Sequence, residues 1–456
     1  MAAIFAVYAA VLIGIGFLFR GSVRSREQTY LAGRKLSSPI VAVSLSATAI
    51  GGSATVALAS FVHSHGLSGV WLDLPLGLAL ITGGFLLARK IRATGCLSLP
   101  QIGGRLYGGG FRLSVAVLVA MAEVAWFALL LRAAAPFLRG ITSLPESVCM
   151  VITALIFLCY TLMGGQTAVA WTDLLQLLLV LGAGLILPAL AVLRRTDWLA
   201  GLPDGSLAFP TGSGLDLPAV FGLLAMIGLP GLVGGDVYGK ILSARDVSTA
   251  RRGTVAAGAV KIFSAALVAV IALGGRVLFP ESGGDGLLAD VIEVVMSPWL
   301  ASLAFLAFLA AMMSSADSVL LTGTTIVDVD LLPSGKNRLS HRIRFSLTAG
   351  ALGAAGLVLA MLSTGIVELL KWAYTVFAAG APLPVLAGLC NKRRVQGPWA
   401  VSSLLGGGAT AVAAKLVGAQ QAVLYGLLVS ALLITLGRFS KNSKNPPLGS
   451  QARSAW

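Results

Sequence analysis

The sequence predicts an all-α polytopic membrane protein with about thirteen transmembrane helices, and three observations predict it. Of its 456 residues, 57% are hydrophobic and 11% charged, where soluble chains carry about 25% charged residues. Apolar runs close to twenty residues long, enough to cross a bilayer as a helix, recur from end to end. The 33 Lys and Arg residues also sort between the loops as one particular helix count requires.

Apolar segments fall at 2–19, 38–63, 68–88, 111–138, 146–163, 168–193, 217–236, 253–275, 296–327, 343–363, 366–390, 397–416 and 420–437. An odd number puts the termini on opposite sides. With the N-terminus outside, 25 of the 33 basic residues lie in inside loops, and Arg139, Arg194, Arg195 and Arg276 lie clearly outside. Such a bias is the positive-inside signature, and one missed span would scramble it. It also accounts for the net charge of +15 without nucleic acid, since no basic tract is interleaved with aromatics.

The Met1–Leu18 run lacks a basic leader and a small-residue cleavage pattern, so it reads as a retained helix. The outer segments 194–216 and 276–295, rich in Gly, Pro and acids, read as loops. Residues 438–456 read as a disordered cytoplasmic tail. Cys96, Cys149, Cys159 and Cys390 have no paired spacing and read as small apolar side chains. His63 and His65 form an H-x-H pair too weak to imply a metal.

Two spans should break. The second contains S-L-S-A-T-A-I-G-G-S-A-T, Ser44–Thr55, with Gly51-Gly52 at mid-membrane. The seventh contains G-L-P-G-L-V-G-G-D, Gly228–Asp236. Unwound backbone at membrane depth is tolerated where it is buried in protein or lines a cavity, and matched interruptions in two halves of a chain point to a transporter's binding site. The breaks lie five spans apart, which suggests two five-helix units of opposite topology at 38–194 and 217–390. A helix at 1–19 precedes them, and two at 397–437 follow.

Polar residues inside the spans are expensive and usually functional. The ninth span carries S-S-A-D-S, Ser314–Ser318. Single serines there often bond one turn back and do nothing more, but that does not explain Asp317. The fourth span carries Glu123, Trp126 and Arg132. Asp236 and Lys240, four residues apart, are expected to pair locally.

These residues resemble the sodium:solute symporter family. T-Y-L-A-G-R-K-L (Thr29–Leu36) is similar to the entry of its first core helix. G-G-Q-T-A-V-A-W-T-D-L-L-Q (Gly164–Gln176) is similar to its fifth. Y-G-K-I-L-S-A-R-D-V-S-T-A-R-R (Tyr238–Arg252) resembles the loop after its sixth, the Ser314–Ser318 stretch its eighth, and A-P-L-P-V-L-A-G-L-C-N-K-R-R (Ala381–Arg394) the end of its tenth. The resemblance implies a LeuT-like 5+5 inverted-repeat core, with one extra helix before it and two after.

It also implies a sodium site between the second and ninth spans, made by the carbonyls of Ala49, Gly52 and Ala311 with the hydroxyls of Ser314 and Ser315. Sodium is a hard cation, and membrane sites replace its hydration shell with such oxygens. A second cation site, held by some relatives, corresponds to Asp173, Asp317 and Ser318 together with Ser314. Asp317 departs from the family's hydroxyl there, and two close carboxylates need a cation or a shared proton between them. Candidate solute contacts are Thr48, Ser53, Thr55, Glu123, Trp126 and Gly231.

The reading is therefore a secondary active transporter, not an enzyme. It takes up a small organic solute, an amino acid or organic acid by the leaning of Arg132, with Na+ as coupling ion and no cofactor. A monomer in a bacterial inner membrane is expected. The alternatives are a proton-driven version in which Asp173, Asp317 or Glu123 titrates, and a transporter-like sensor, although no signalling module follows Arg438. An intramembrane aspartyl protease is a poor match, because V-G-G-D at Val233–Asp236 lacks a partner Tyr-Asp motif.

Overall fold

The computed structural model describes residues 2–142, 144–195, 198–212, 214–281, 286–332, 340–362, 374–390, 395–419 and 421–439. Nearly all are helical, and two isolated bridges are the extent of β-pairing among them. Its helices include, in chain order, α1 (Ala2–Leu18), α2 (Ser38–Ala49), α3 (Gly52–His65), α4 (Leu74–Leu86), α5 (Gly109–Thr142), α6 (Glu146–Leu179), α7 (Leu217–Leu223), α8 (Leu229–Val233), α9 (Gly235–Ser243), α10 (Val247–Leu278), α11 (Pro298–Ile326), α12 (His341–Leu362), α13 (Pro382–Cys390), α14 (Gly397–Leu416) and α15 (Ala422–Phe439).

Each predicted apolar segment is helical over most of its described residues. Eight helical stretches are long and apolar enough to cross a membrane. The longest, Glu146–Leu193, joins two predicted spans and bends between them at Gly165, where φ is 55°. A Cβ there would lie 2.6 Å from the Thr29 carbonyl oxygen, so glycine serves both the left-handed turn and the close backbone contact. One expected loop contains a helix. Within 276–295, Leu287–Val295 is a helix that buries Leu287, Leu288, Val291 and Ile292 on one face, a helical spacing hidden among the glycines and acids before it. The tail from 440 onward lies outside the described residues, as do 363–373, which include the start of the eleventh predicted segment.

Both predicted breaks are present and have the same shape. α2 ends at Ala49 and α3 starts at Gly52, with Gly51 at φ −48°, ψ 141°. α8 ends at Val233 and α9 starts at Gly235, with Gly234 at φ −58°, ψ 136°. In each case an extended glycine interrupts the helical path, joined at the first break by Ile50 at φ −90°, ψ 33°. Ahead of the second break, Leu224–Gly228 widens into a π-helix next to Pro230, whose ring carries no amide to donate.

α11 is unbroken for 29 residues and almost wholly buried, and it packs against α2, α5, α6 and α12. Just past its end, a polar cluster ties the basic-loop side together. Asp328 accepts Arg26 Nε at 3.0 Å and the Tyr30 hydroxyl at 2.9 Å, and pairs with Arg344. Asp330 accepts Arg112 Nε at 2.8 Å and the Ser98 hydroxyl at 2.6 Å.

Candidate functional site

The regular hydrogen bonding of α2 stops at the Ile50 amide, which bonds the Ser46 carbonyl at 2.9 Å. The carbonyls of Ala47 and Thr48 accept hydroxyls from α11 instead. Ser314 Oγ donates to Ala47 O at 3.0 Å and to Ala311 O at 2.9 Å. Ser315 Oγ donates to Thr48 O at 3.3 Å and to Ala311 O at 3.2 Å. Three carbonyl and two hydroxyl oxygens from two helices thus converge at the break.

Such an all-oxygen set, with no charge of its own and two rotatable hydroxyls, fits a small hard cation. Glycine allows the approach. A Cβ on Gly51 would lie 2.9 Å from Ser315 Oγ, and one on Gly52 would lie 2.7 Å from Met312 Cγ and 2.9 Å from the Phe308 carbonyl. Compared with the expectation, Ala311, Ser314 and Ser315 are together. The α2 carbonyls they meet are those of Ala47 and Thr48, which precede the expected Ala49 and Gly52. Gly52 acts as the close-packing position.

The second group lies one turn further along both helices. The side chain of Lys240 runs from α9 to this group, and its Nζ donates to Ser44 O at 2.8 Å, Ser44 Oγ at 2.8 Å, Thr48 Oγ1 at 2.5 Å and Asp173 Oδ2 at 3.1 Å. Ser44 also donates to Asp173. Lys240 is 2% exposed and Asp173 and Asp317 are 0% exposed, so this is a buried ion pair with further oxygens around it.

The expected local pair of Lys240 with Asp236 is not what forms. Lys240 pairs with Asp173 on α6, because α9 packs against α2 and the lysine stem reaches across. Of the candidate second-site residues, Asp173 is bound to the lysine. Ser318 is 2.9 Å from the Thr48 hydroxyl, and Asp317 lies near enough to Asp173 to feel its charge. Ser44 was missed by the sequence reading. Its position four residues before Thr48, on the same helix face, was the available signal.

The solute candidates divide. Gly235, at the second break, has Glu123 Oε1 and Thr322 Cγ2 within 3.8 Å of where its Cβ would stand. Asp236 acts electrostatically on Glu123. Trp126 meets Tyr374 with ring centroids 5.7 Å apart. Glu123, Trp126, Asp236 and Tyr374 thus gather around the opening of the seventh span. Thr55 turns its hydroxyl back onto Gly51 O at 3.1 Å. Gly231 lets Leu76 and Ala79 of α4 close in and is a packing position. The Ser53 side chain lies outside the described residues. Arg132 Nη1 donates to Ala360 O of α12 at 3.2 Å.

A cavity of about 20 Å³, enough for one water, lies between Tyr30, Ser98, Asp236, Lys240, Ser318 and Thr325. Tyr30 and Ser98 in its wall donate to Asp328 and Asp330 respectively.

A family model described as "Sodium:solute symporter family" matches residues 29–196. The chain is 27% identical over 330 residues to a high-affinity choline transporter from Caenorhabditis elegans, which covers 66% of this chain and 55% of that one, little more than half its length. It is 24% identical over 373 residues to a sodium/glucose cotransporter from Vibrio parahaemolyticus, covering 72% and 68%. A sodium/proline symporter from Escherichia coli (strain K12) is 24% identical over 354 residues, covering 72% and 69%. Among solved structures, a Na+-coupled sialic acid symporter in a substrate-bound, outward-open state aligns with TM-score 0.86 at 15% identity over 98% of both chains. A nucleobase-cation-symport-1 transporter in a closed conformation aligns with TM-score 0.61 at 15% identity, over 94% of this chain and 98% of that one. At such identities the likeness is one of fold, and the fold is the LeuT-like helical core.

Proposed function

We propose that this chain belongs to the sodium:solute symporter family and is a secondary active transporter coupling the uptake of a small organic solute to sodium entry by alternating access. The observation that carries the coupling is the convergence of Ser314, Ser315 and the Ala311, Ala47 and Thr48 carbonyls from two different helices. A cation bound there links α11 to the broken α2, so its occupancy favours the arrangement in which those helices touch. Coupling is that free-energy link.

The solute would bind beside the second break. Glu123 and Asp236 make no ion pair among the described residues, and Trp126 and Tyr374 stand next to them. An ammonium-bearing solute such as an amino acid suits two carboxylates and aromatic faces better than a simple organic acid does. Arg132, on which the organic-acid leaning rested, is engaged with the Ala360 carbonyl. The matching φ and ψ at Gly51 and Gly234 support two inverted units at 38–194 and 217–390. The one-sided basic loops support an outside N-terminus and a cytoplasmic C-terminus in a bacterial inner membrane, with the monomer as the working unit.

The test is a thermal-shift screen of purified protein against amines, amino acids, sugars and organic acids, with and without sodium, followed by uptake into proteoliposomes. Sodium-stimulated accumulation that falls at least about tenfold in S314A/S315A is expected. Accumulation driven equally by a proton gradient in sodium-free buffer would assign the coupling to protons, and an unaffected double variant would remove the site.

A further inference from the structure

Two carboxylates, a serine and a threonine at mid-span form a cation site by their chemistry, and in this chain a covalently tethered cation is already in it. We propose that the Lys240 ammonium permanently fills the position of a second coupling ion, so that the transporter works with a single sodium per cycle. The inference rests on the sodium-symporter reading above and concerns its stoichiometry.

The coordination supports it. An ammonium has three donors, and Lys240 Nζ has four oxygens within 2.5–3.1 Å, namely the Ser44 carbonyl and hydroxyl, the Thr48 hydroxyl and Asp173 Oδ2. The lysine is 2% exposed. These are hydroxyl, carbonyl and carboxylate oxygens of the kinds that would surround a sodium ion. A sodium ion entering here would have to displace a cation held by its own side chain, at an effective concentration no free ion matches.

The charge count agrees. With both carboxylates ionised, Asp173, Lys240 and Asp317 sum to one negative charge. Asp317 Oδ2 is buried with no hydrogen-bond partner among the described residues. Asp317 lies three residues after Ser314 and two after Ser315, on the helix that supplies their hydroxyls. One monovalent cation at the serine site balances that charge, and a second would leave an excess of positive charge.

Thr48 joins the two positions. Its carbonyl accepts the Ser315 hydroxyl, and its own hydroxyl accepts Lys240. The lysine itself stands on α9, past the second break, and its oxygens stand on α2 and α6. The tethered ammonium therefore spans the two broken segments as a bound ion would, and no ion gradient is dissipated in holding it there.

The experiment measures equilibrium binding of radioactive sodium alone to purified full-length protein. One ion per chain, with a Hill coefficient near 1, is expected for the parent. K240M, which leaves Asp173 and Asp317 without the ammonium, is expected to bind two ions with a Hill coefficient above 1, and K240R one. K240M/D173N removes both charges of the pair, keeps the count interpretable if K240M folds poorly, and is expected to bind one. Two ions bound by the parent, or a folded K240M that still binds one, overturns the proposal. A parent that binds no sodium overturns the symporter reading instead.

Discussion

The hydroxyl oxygens of Thr48 and Ser318 stand 2.9 Å apart, 270 residues apart in the chain. The contact joins α2 to α11 between the Ser314–Ser315 oxygens and the Lys240 ammonium, and Thr48 is bonded to both groups. Replacing Thr48 by the near-isosteric valine removes the nearest of the four oxygens around the Lys240 ammonium, a hydrogen bond to a charged group and so worth about 1.5–3 kcal/mol. T48V is expected to weaken sodium binding more than about tenfold, since about 1.4 kcal/mol is tenfold in affinity. S318A loses one hydroxyl contact and is expected to change it less than about fivefold. Sodium titration of thermal unfolding measures both, and equal effects would contradict the bridging role of Thr48.

The contact between α11 and the start of α3, just past the break, depends on an absent side chain. A Cβ on Gly52 would meet the Phe308 carbonyl at 2.9 Å, and backbone yields less readily than a flexible side chain. G52A is expected to separate the two helices and abolish sodium-stimulated uptake while the protein still inserts and purifies. G14A, where nothing stands within 4 Å of the added methyl, is expected to transport as the parent does. Normal sodium dependence in G52A would show that the close approach is unnecessary.

On the basic-loop side, Asp328 is fully buried and holds Arg26, Tyr30 and Arg344. Breaking a buried pair by removing one partner costs about 3–5 kcal/mol, here borne by the state in which that side is closed. D328N is therefore expected to open the path to the cavity lined by Thr325. In a background free of native cysteines, maleimide should label T325C slowly and label T325C/D328N at least about tenfold faster. Labelling at the same rate would mean that Asp328 does not close this face.

Much of the architecture was legible in the sequence because bilayer length and loop charge are one-dimensional signals. The interruptions at Gly51-Gly52 and Gly234-Gly235 were legible too, since paired glycines with Pro230 are poor helix on any reading. The register of the freed carbonyls was not. It depends on which glycine of the pair takes the extended ψ, and with Gly51 doing so the oxygens that meet α11 are those of Ala47 and Thr48. Lys240 was misassigned for a related reason. Spacing along a helix favours Asp236 four residues before it, but a four-carbon stem reaches whichever carboxylate the neighbouring helices bring close, and that is Asp173. The helix at Leu287–Val295 was obscured by the glycines and acids that precede it.

Glu123 provides a test of the solute end of the site. Its carboxylate stands beside Gly235, where the seventh span opens, with Asp236 acting on it through space and no ion pair of its own among the described residues. A carboxylate left this way inside a membrane helix is costly, and a cationic group on the solute would offset that cost once per cycle. E123Q keeps the shape and removes the charge. For the solute that the sodium-dependent screen returns, KM is expected to rise about tenfold or more, equivalent to about 1.4 kcal/mol, with half-saturation by sodium changed less than about twofold. W126A should raise KM in the same way, and W126F should largely preserve it, because a second aromatic face still meets Tyr374. If E123Q instead shifted the sodium dependence and spared KM, Glu123 would belong with the ion site, and an ammonium-bearing solute would lose its main support.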